Sequence, residues 1–350
     1  MILSQIAASW AINVGEAHLN SHFLYAIVAL GVYSIACTML KTVLVFLQTF
    51  LLSGTNLTKF GCNEGAWAVV TGCTDGIGKE FARQLGKAGF NMILAARDVS
   101  RLNDISREIE LMYGVKTAIQ VVDFGKASGA KYAEITEELK QYEIGVLGKM
   151  NNVGTSWRFA PFFETPLDKI NDMIHVNVGA SVQITYAILP GMIERKCGLI
   201  LNVGSFSGAF PIPMLALYSS TKAFLAHFSS ALAEEVRPHN VTVEYLNAYY
   251  IVSKLSRFRQ PSIFIPTPEA YVQSVLSKIS LPCGSAFSGR FNSSSPYWSH
   301  ALLDWLFASL FGNVPRIVMK SLHFVHGQAM RRAIIRKEAR RHTNGGPEHR

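Results

Sequence analysis

Charge is scarce in this sequence. Asp, Glu, Lys and Arg make up 16% of the 350 residues, against 49% apolar ones. Ordinary soluble domains carry about 25% charged residues, so a membrane segment is expected. Cysteine is scarce too. The five present (Cys37, Cys62, Cys73, Cys197, Cys283) are odd in number and scattered. No pair has metal-ligand spacing, so no metal site and no disulfide framework is expected, and a reducing compartment fits best. Residues 1–22 contain no lysine or arginine. A secretory signal needs a basic start and a small-residue cleavage site, and neither stands out. Basic charge gathers instead at the far end, with nine Lys/Arg and two Glu between Arg316 and Arg350. The rest of the +9 chain is therefore close to neutral. No nucleic-acid motif accompanies this tail, so it reads as solvated or membrane-facing, and nucleic acid is not expected as a partner.

What is present begins with an apolar run. Phe23–Leu40 carries no charge and would make a helix roughly 27 Å long, close to the bilayer core. A second run, Thr42–Leu52, extends this helix to the interface or returns as the arm of a hairpin. The alternative, a buried core helix, is disfavoured because a complete domain follows and leaves it nothing to pack on. Lys41 and Lys59 follow the run and no basic residue precedes it. The positive-inside rule then puts the N-terminus outside and the remainder in the cytosol. The expected organisation is an outer segment 1–22, a transmembrane segment 23–52, a polar linker 53–64, a catalytic domain 65–255, a substrate lid 256–300 and a helical basic extension 301–350.

From residue 66 onward, short apolar runs alternate with helical patterns. Strands are predicted at 66–70, 91–95, 116–122, 145–150, 199–203 and 241–246. Helices are predicted at 79–89, 100–112, 127–142, 168–178, 180–195 and 218–236. This alternation predicts an α/β fold, a doubly wound parallel sheet of Rossmann type with helices on both faces. Ligands in such sheets sit at the carboxyl ends of the strands. Gly72, Arg97, Asp123, Asn151, Ser205 and Ser253 all fall at such ends.

The first strand runs into Thr71-Gly72-Cys73-Thr74-Asp75-Gly76-Ile77-Gly78 and then a helix. Glycines there let the backbone approach a pyrophosphate, which meets the helix N-terminus. The spacing is GxxxGxG rather than GxGxxG, and its place between strand and helix is what gives it weight. No carboxylate ends the second strand, where one would accept from the 2′-hydroxyl of NAD. Arg97 stands there and suits the 2′-phosphate of NADP, with a solvated surface arginine as the plain alternative. Asp123, after the third strand, suits the adenine amino group.

A serine, Ser205, follows the fifth apolar run, and Tyr218 and Lys222 follow on a predicted helix. Tyr and Lys four apart share a helix face. An ammonium beside a phenol lowers the phenol's pKa from about 10 and makes it a usable proton donor. Ser205 can hydrogen-bond a substrate carbonyl. Tyr250-x-x-x-Lys254 repeats the spacing, but Arg237, not a strand-end serine, stands at the matching distance before it.

Together, Thr71-Gly72-x-x-x-Gly76-x-Gly78, Asn151-Asn152-x-Gly154, Asn177, Ser205 and Tyr218-x-x-x-Lys222 resemble the motif set of the short-chain dehydrogenase/reductase family over roughly residues 65–255. The resemblance implies Tyr218 as general acid, Lys222 as its modulator and ribose ligand, Ser205 as carbonyl polariser and Asn177 as holder of a relay water. It also implies NADPH contacts from Val70, Thr74, Ile77, Asn151, Ile251 and Ser253, beside the glycine turn, Asp75, Arg97 and Asp123. The chain departs from the wider family at Ala248-Tyr249, where Pro-Gly is common, and at Ser253, where threonine is usual.

A narrower resemblance rests on the N-terminal apolar segment, the TGCTDGIGKEFA stretch, Asn-Val-Gly after the fourth strand and the SSSPYWSHALLDW stretch. It is to the fungal very-long-chain 3-oxoacyl-CoA reductases, relatives of membrane-bound 17β-hydroxysteroid dehydrogenases. That implies NADPH-dependent reduction of a long-chain acyl-CoA substrate in fatty acid elongation, at the endoplasmic reticulum membrane. The implied partners are the lipid bilayer and other enzymes of an elongation complex. The terminal Gly-Pro-Glu-His-Arg carries no dilysine retrieval signal, so the organelle follows from resemblance alone. A steroid or retinoid dehydrogenase on the same scaffold, and a non-catalytic nucleotide-binding scaffold, are the competing readings. Two further expectations concern the lid and extension. Ser285–Ser295 is Ser-rich and expected to be flexible. Ala301–Phe311 is either an interfacial helix that guides acyl chains or a plain core helix.

Overall fold

The computed structural model describes residues 21–149, 159–254, 256, 258–311, 324 and 328. Helix α1 (Ser21–Phe46) continues through a π turn, Leu47–Leu51. Its apolar side chains face outward, and the 29-residue stretch Phe23–Leu51 is long and apolar enough to cross a membrane. The stretch Leu167–Arg195 passes the same test of length and composition, but it is partly buried within the catalytic domain.

The domain then alternates as predicted: β1 (Trp67–Thr71), α2 (Gly76–Lys87), β2 (Asn91–Ala96), α3 (Val99–Tyr113), β3 (Thr117–Val121), α4 (Gly129–Leu139) and β4 (Ile144–Lys149). After the undescribed residues come α5 (Leu167–Ile174), a π turn (His175–Gly179), α6 (Ala180–Arg195), β5 (Gly198–Val203), α7 (Ala216–Val236) and β6 (Val241–Leu246). The chain ends its described part with α8 (Pro268–Ser277), β7 (Ser293–Ser294) and α9 (Trp298–Phe311). The strands form one parallel sheet in the order β3-β2-β1-β4-β5-β6-β7. The order reverses between β1 and β4, which is the crevice where such sheets bind ligands.

Strands buried on both faces need apolar residues throughout, and β5 (GLILNV) is buried at every position. One face packs Phe81, Leu85, Ile105, Ile109 and Tyr271 from α2, α3 and α8. The other packs Ile135, Ile184, Leu232 and Val236 from α4, α6 and α7. Helix starts are set by side-chain caps. Asp75 accepts from Gly76 N at 2.8 Å, and Asp98 from Arg101 N at 3.2 Å.

Two stretches differ from the expectation that polar composition suggests. Residues 53–64 lie against the domain. Phe60 and Cys62 join its core, and the backbone N–H groups of Gly54 and Thr55 donate to Ser277 O and Ile279 O at 2.8 Å. Ser285–Ser295 is anchored to the fold at both ends. Ser285, Ser293, Ser294 and Ser295 are buried, and β7 adds the edge strand to the sheet. The cause is Asp304 on α9, fully buried among donors. It accepts from Asn247 Nδ2 at 2.9 Å, Ser285 Oγ at 2.8 Å and Ser295 Oγ at 2.5 Å, and pairs with Arg290. A buried carboxylate requires such partners, and the serines supply them.

Candidate active site

The crevice begins at the turn after β1. Gly72 has φ 65° and Gly76 φ 54°, conformations that favour glycine. Gly78 is fixed for another reason: a Cβ there would stand 2.1 Å from Gly72 O. The turn thus lies close against the start of α2, whose first N–H groups suit an anion. Val70 is buried at the end of β1, and Thr74 and Ile77 are half-buried. Arg97 is exposed just beyond β2, and Asp123 follows β3, where its Oδ1 accepts from Gly125 N at 3.1 Å. Ile251 is buried and Ser253 half-buried after β6. Ser253 Oγ accepts from Ser256 N at 3.0 Å, so it caps a local turn. Asn151 lies outside the described residues.

Ser205 leaves β5 under close control. Tyr245 OH on β6 accepts from Ser205 N at 2.9 Å and donates to Ser205 O at 3.0 Å. The tyrosine ring fills the space beside Gly204, where a Cβ would meet Cζ at 1.9 Å. Ser207 Oγ donates to Ser205 Oγ at 2.9 Å. Tyr218 sits in the first turn of α7, half-buried, and hydrogen-bonds the Ser205 side chain. Lys222 lies one turn on, buried, with its ammonium 5.7 Å from the Tyr218 ring centroid. Its Nζ donates to Val203 O at 3.1 Å. Asn177 occupies the π turn between α5 and α6, and its Nδ2 donates to Thr221 Oγ1 at 3.1 Å. Thr221 Oγ1 donates in turn to Tyr218 O at 2.8 Å. A π turn inserted in a helix is frequent at functional sites, and here it sets Asn177 against α7. Ser205, Tyr218, Lys222 and Asn177 therefore converge from β5, α7 and the α5–α6 turn.

The electrostatics correct one expectation. Lys222 was expected to lower the Tyr218 pKa. Burial instead pushes the phenol above its ordinary value, partly offset by the hydrogen bond with Ser205 and reinforced by Tyr250. Burial also lowers Lys222 to about 7. The raised phenol remains protonated at neutral pH, as a general acid requires.

Lys222 gives a stability test. Its folded pKa lies below the ordinary 10.5, so between about 7 and 10.5 the unfolded chain holds a proton that the folded chain does not. Stability contributed this way is present in full above the unfolded value and is lost as pH falls through the folded one. The Tm difference between Lys222→Met and the parent should therefore become less favourable to the variant as pH rises from 7 toward 10. Thermal melts across that range check this, and a pH-independent difference would contradict it.

Several features of the site were not anticipated. The Tyr250-x-x-x-Lys254 repeat places Lys254 Nζ 2.5 Å from Asp75 Oδ2 at the glycine turn. Burial raises the Asp75 carboxyl while Lys254 and Gly76 N lower it, and the net direction is down. The Tyr245 clamp has no sequence signal beyond an aromatic residue on a strand. Beside Ser205, Phe206 stacks on Tyr249 at 4.3 Å and contacts Phe210 at 4.6 Å. The Tyr249 substitution in the Pro-Gly position thus builds an aromatic wall.

The short chain dehydrogenase family profile matches residues 66–262. The chain belongs to this family. A very-long-chain 3-oxoacyl-CoA reductase of Laccaria bicolor is 51% identical over 313 residues, covering 89% of this chain and 91% of that protein. One of Aspergillus fumigatus is 39% identical over 337 residues, covering 95% of each. Among solved structures, a 7β-hydroxysteroid dehydrogenase superposes with TM-score 0.63 at 21% identity, over 78% of this chain and all of that one. A Sphingobium yanoikuyae short-chain dehydrogenase in complex with NADPH gives TM-score 0.56 at 22% identity, over 71% of this chain and 96% of that one. These two likenesses establish the fold. Membership makes the chain an oxidoreductase of Rossmann type.

Proposed function

We propose that this dehydrogenase reduces very-long-chain 3-oxoacyl-CoA to 3-hydroxyacyl-CoA with NADPH. The carrying observation is the convergence of Ser205, Tyr218, Lys222 and Asn177 in a chain 51% identical to a reductase of that name over most of its length. The glycine turn and α2 hold the pyrophosphate, with Val70, Thr74, Asp75 and Ile77 around it. Arg97 pairs with the 2′-phosphate, Asp123 takes the adenine amino group, and Ile251 and Ser253 line the nicotinamide half. Bound there, NADPH supplies a hydride.

The chain's own groups do the rest. Ser205 Oγ donates to the 3-oxo oxygen, in a backbone held by Tyr245. Negative charge develops on that oxygen as its carbon is reduced, and Ser205 and Tyr218 meet it as two donors. Tyr218 then gives its proton to the alkoxide, a far stronger base than a phenolate, so its raised pKa does not hinder transfer. Lys222 holds the ribose, and Asn177 holds a water that returns a proton through Lys222.

The reading extends to location. Helix α1 anchors the enzyme in the endoplasmic reticulum membrane as a single pass, with the catalytic domain in the cytosol. Its substrate arrives from the bilayer, and neighbouring enzymes of fatty acid elongation supply and consume the acyl-CoA. Cofactor preference tests the assignment of Arg97. With a long-chain 3-oxoacyl-CoA in excess, NADPH should support a kcat/KM about tenfold or more above NADH, as a charge-assisted pair predicts. NADH equalling or exceeding NADPH refutes it.

A further inference from the structure

Helix α9 touches both ends of the molecule's apolar path. Near its start, Trp298 lies 6.4 Å from Phe50, in the π turn that ends the apolar span. Farther along, Phe307 lies 5.4 Å from Phe206 and 6.3 Å from Phe210. Phe206 directly follows Ser205. The nine-residue separation corresponds to roughly 13 Å along the helix axis. Trp298, Leu302 and Leu306 form an exposed apolar stripe at helical spacing. Phe206, Phe210 and Phe307 are half-buried. The helix cannot easily drift, because Asp304 ties it to Asn247, Ser285, Ser295 and Arg290. One rigid element thus connects the base of the span with the serine of the site.

We propose that α9 is the acyl-chain track of this enzyme and that Phe307 is its specificity-determining residue, seating the chain against Phe206 and Phe210. The inference rests on the 3-oxoacyl-CoA reading and deepens it. The ligand class is a saturated hydrocarbon chain, for which aromatic rings without a hydrogen-bonding duty are the fitting surface. The 3-oxo group sits at Ser205, a fixed distance from the thioester. A long chain therefore reaches Phe307 and a very short one does not.

The test uses the full chain in phosphatidylcholine vesicles with saturating NADPH. Parent and Phe307→Ala are compared on a long saturated 3-oxoacyl-CoA and on acetoacetyl-CoA. The variant should lose about tenfold in kcat/KM on the long substrate, chiefly in KM, which is what lost apolar contact in a pocket is worth. On acetoacetyl-CoA it should stay within about twofold, with the KM for NADPH unchanged. Phe307→Leu, apolar and smaller than the parent ring, should shift the ratio the same way by less, and it carries the test if the alanine variant does not fold. Loss in parallel on both substrates, or on neither, overturns the seat. A parent inactive on both thioesters defeats the reductase reading itself, and with it the inference.

Discussion

Tyr218→Phe should lower kcat for 3-oxoacyl-CoA reduction by about a thousandfold. A positioned general acid contributes roughly 10²–10⁴ in rate, and the phenol is the group that hydrogen-bonds the Ser205 side chain beneath the crevice. The ring itself is retained, so the packing of α7 is preserved. The lost hydrogen bond costs only about 1 kcal/mol of stability. The KM for NADPH should move little, because the turn after β1 is untouched. The rate of NADPH oxidation and the KM together check this. The neighbouring repeat gives an internal control. Tyr250 is exposed, and its ring packs 5.1 Å from Phe258. Tyr250→Phe should stay within about twofold of the parent. Activity of Tyr218→Phe within a few-fold of the parent would remove Tyr218 from the chemistry.

The second large effect falls on stability. Asp304 is fully buried and pairs with Arg290, whose side chain is 20% exposed. Removing one partner of a buried pair costs about 3–5 kcal/mol, because the remaining charge is left without compensation. Asp304→Ala also removes the acceptor shared by Asn247, Ser285 and Ser295. Asp304→Asn keeps an acceptor for some of them but loses the charge, so it should lie between the parent and the alanine variant. Thermal melts of the purified chain in detergent measure both. A Tm for Asp304→Ala within a degree or two of the parent would show that the network does not hold the extension to the sheet. Because α9 carries Phe307, the alanine variant should also lose activity on long substrates before it loses NADPH binding.

Tyr218 was legible in the sequence and the partners of Asp304 were not. Tyr218 and Lys222 lie one turn apart on one helix, and Ser205 follows the largely apolar run Leu199–Gly204. Such signals are local, and parallel strands buried on both faces announce themselves as apolar runs. The alternation from β1 to β6 emerged for the same reason, with ends displaced by a few residues where caps such as Asp75 and Asp98 decide the start. The pieces that escaped depend on partners far along the chain. Asn247 and Asp304 are 57 residues apart, and Asp75 and Lys254 are 179 apart. Composition alone reads Ser285–Ser295 as loose, since a serine's partner is invisible until Asp304 is placed beside it. Residues 53–64 misled in the same manner: polar on average, they carry Phe60 and Cys62 as anchors. The pKa of Tyr218 also escaped, because it is decided by burial rather than by the spacing to Lys222.

The proposed substrate of this site is a ketone carried on a long acyl thioester. The direct measurement is NADPH oxidation by the full chain in membranes, comparing a long-chain 3-oxoacyl-CoA with a steroid ketone at matched concentrations. Rapid oxidation with the thioester is expected, with the 3-hydroxyacyl-CoA formed in equal amount and little turnover of the steroid. Turnover of the steroid ketone with an inert thioester would contradict it.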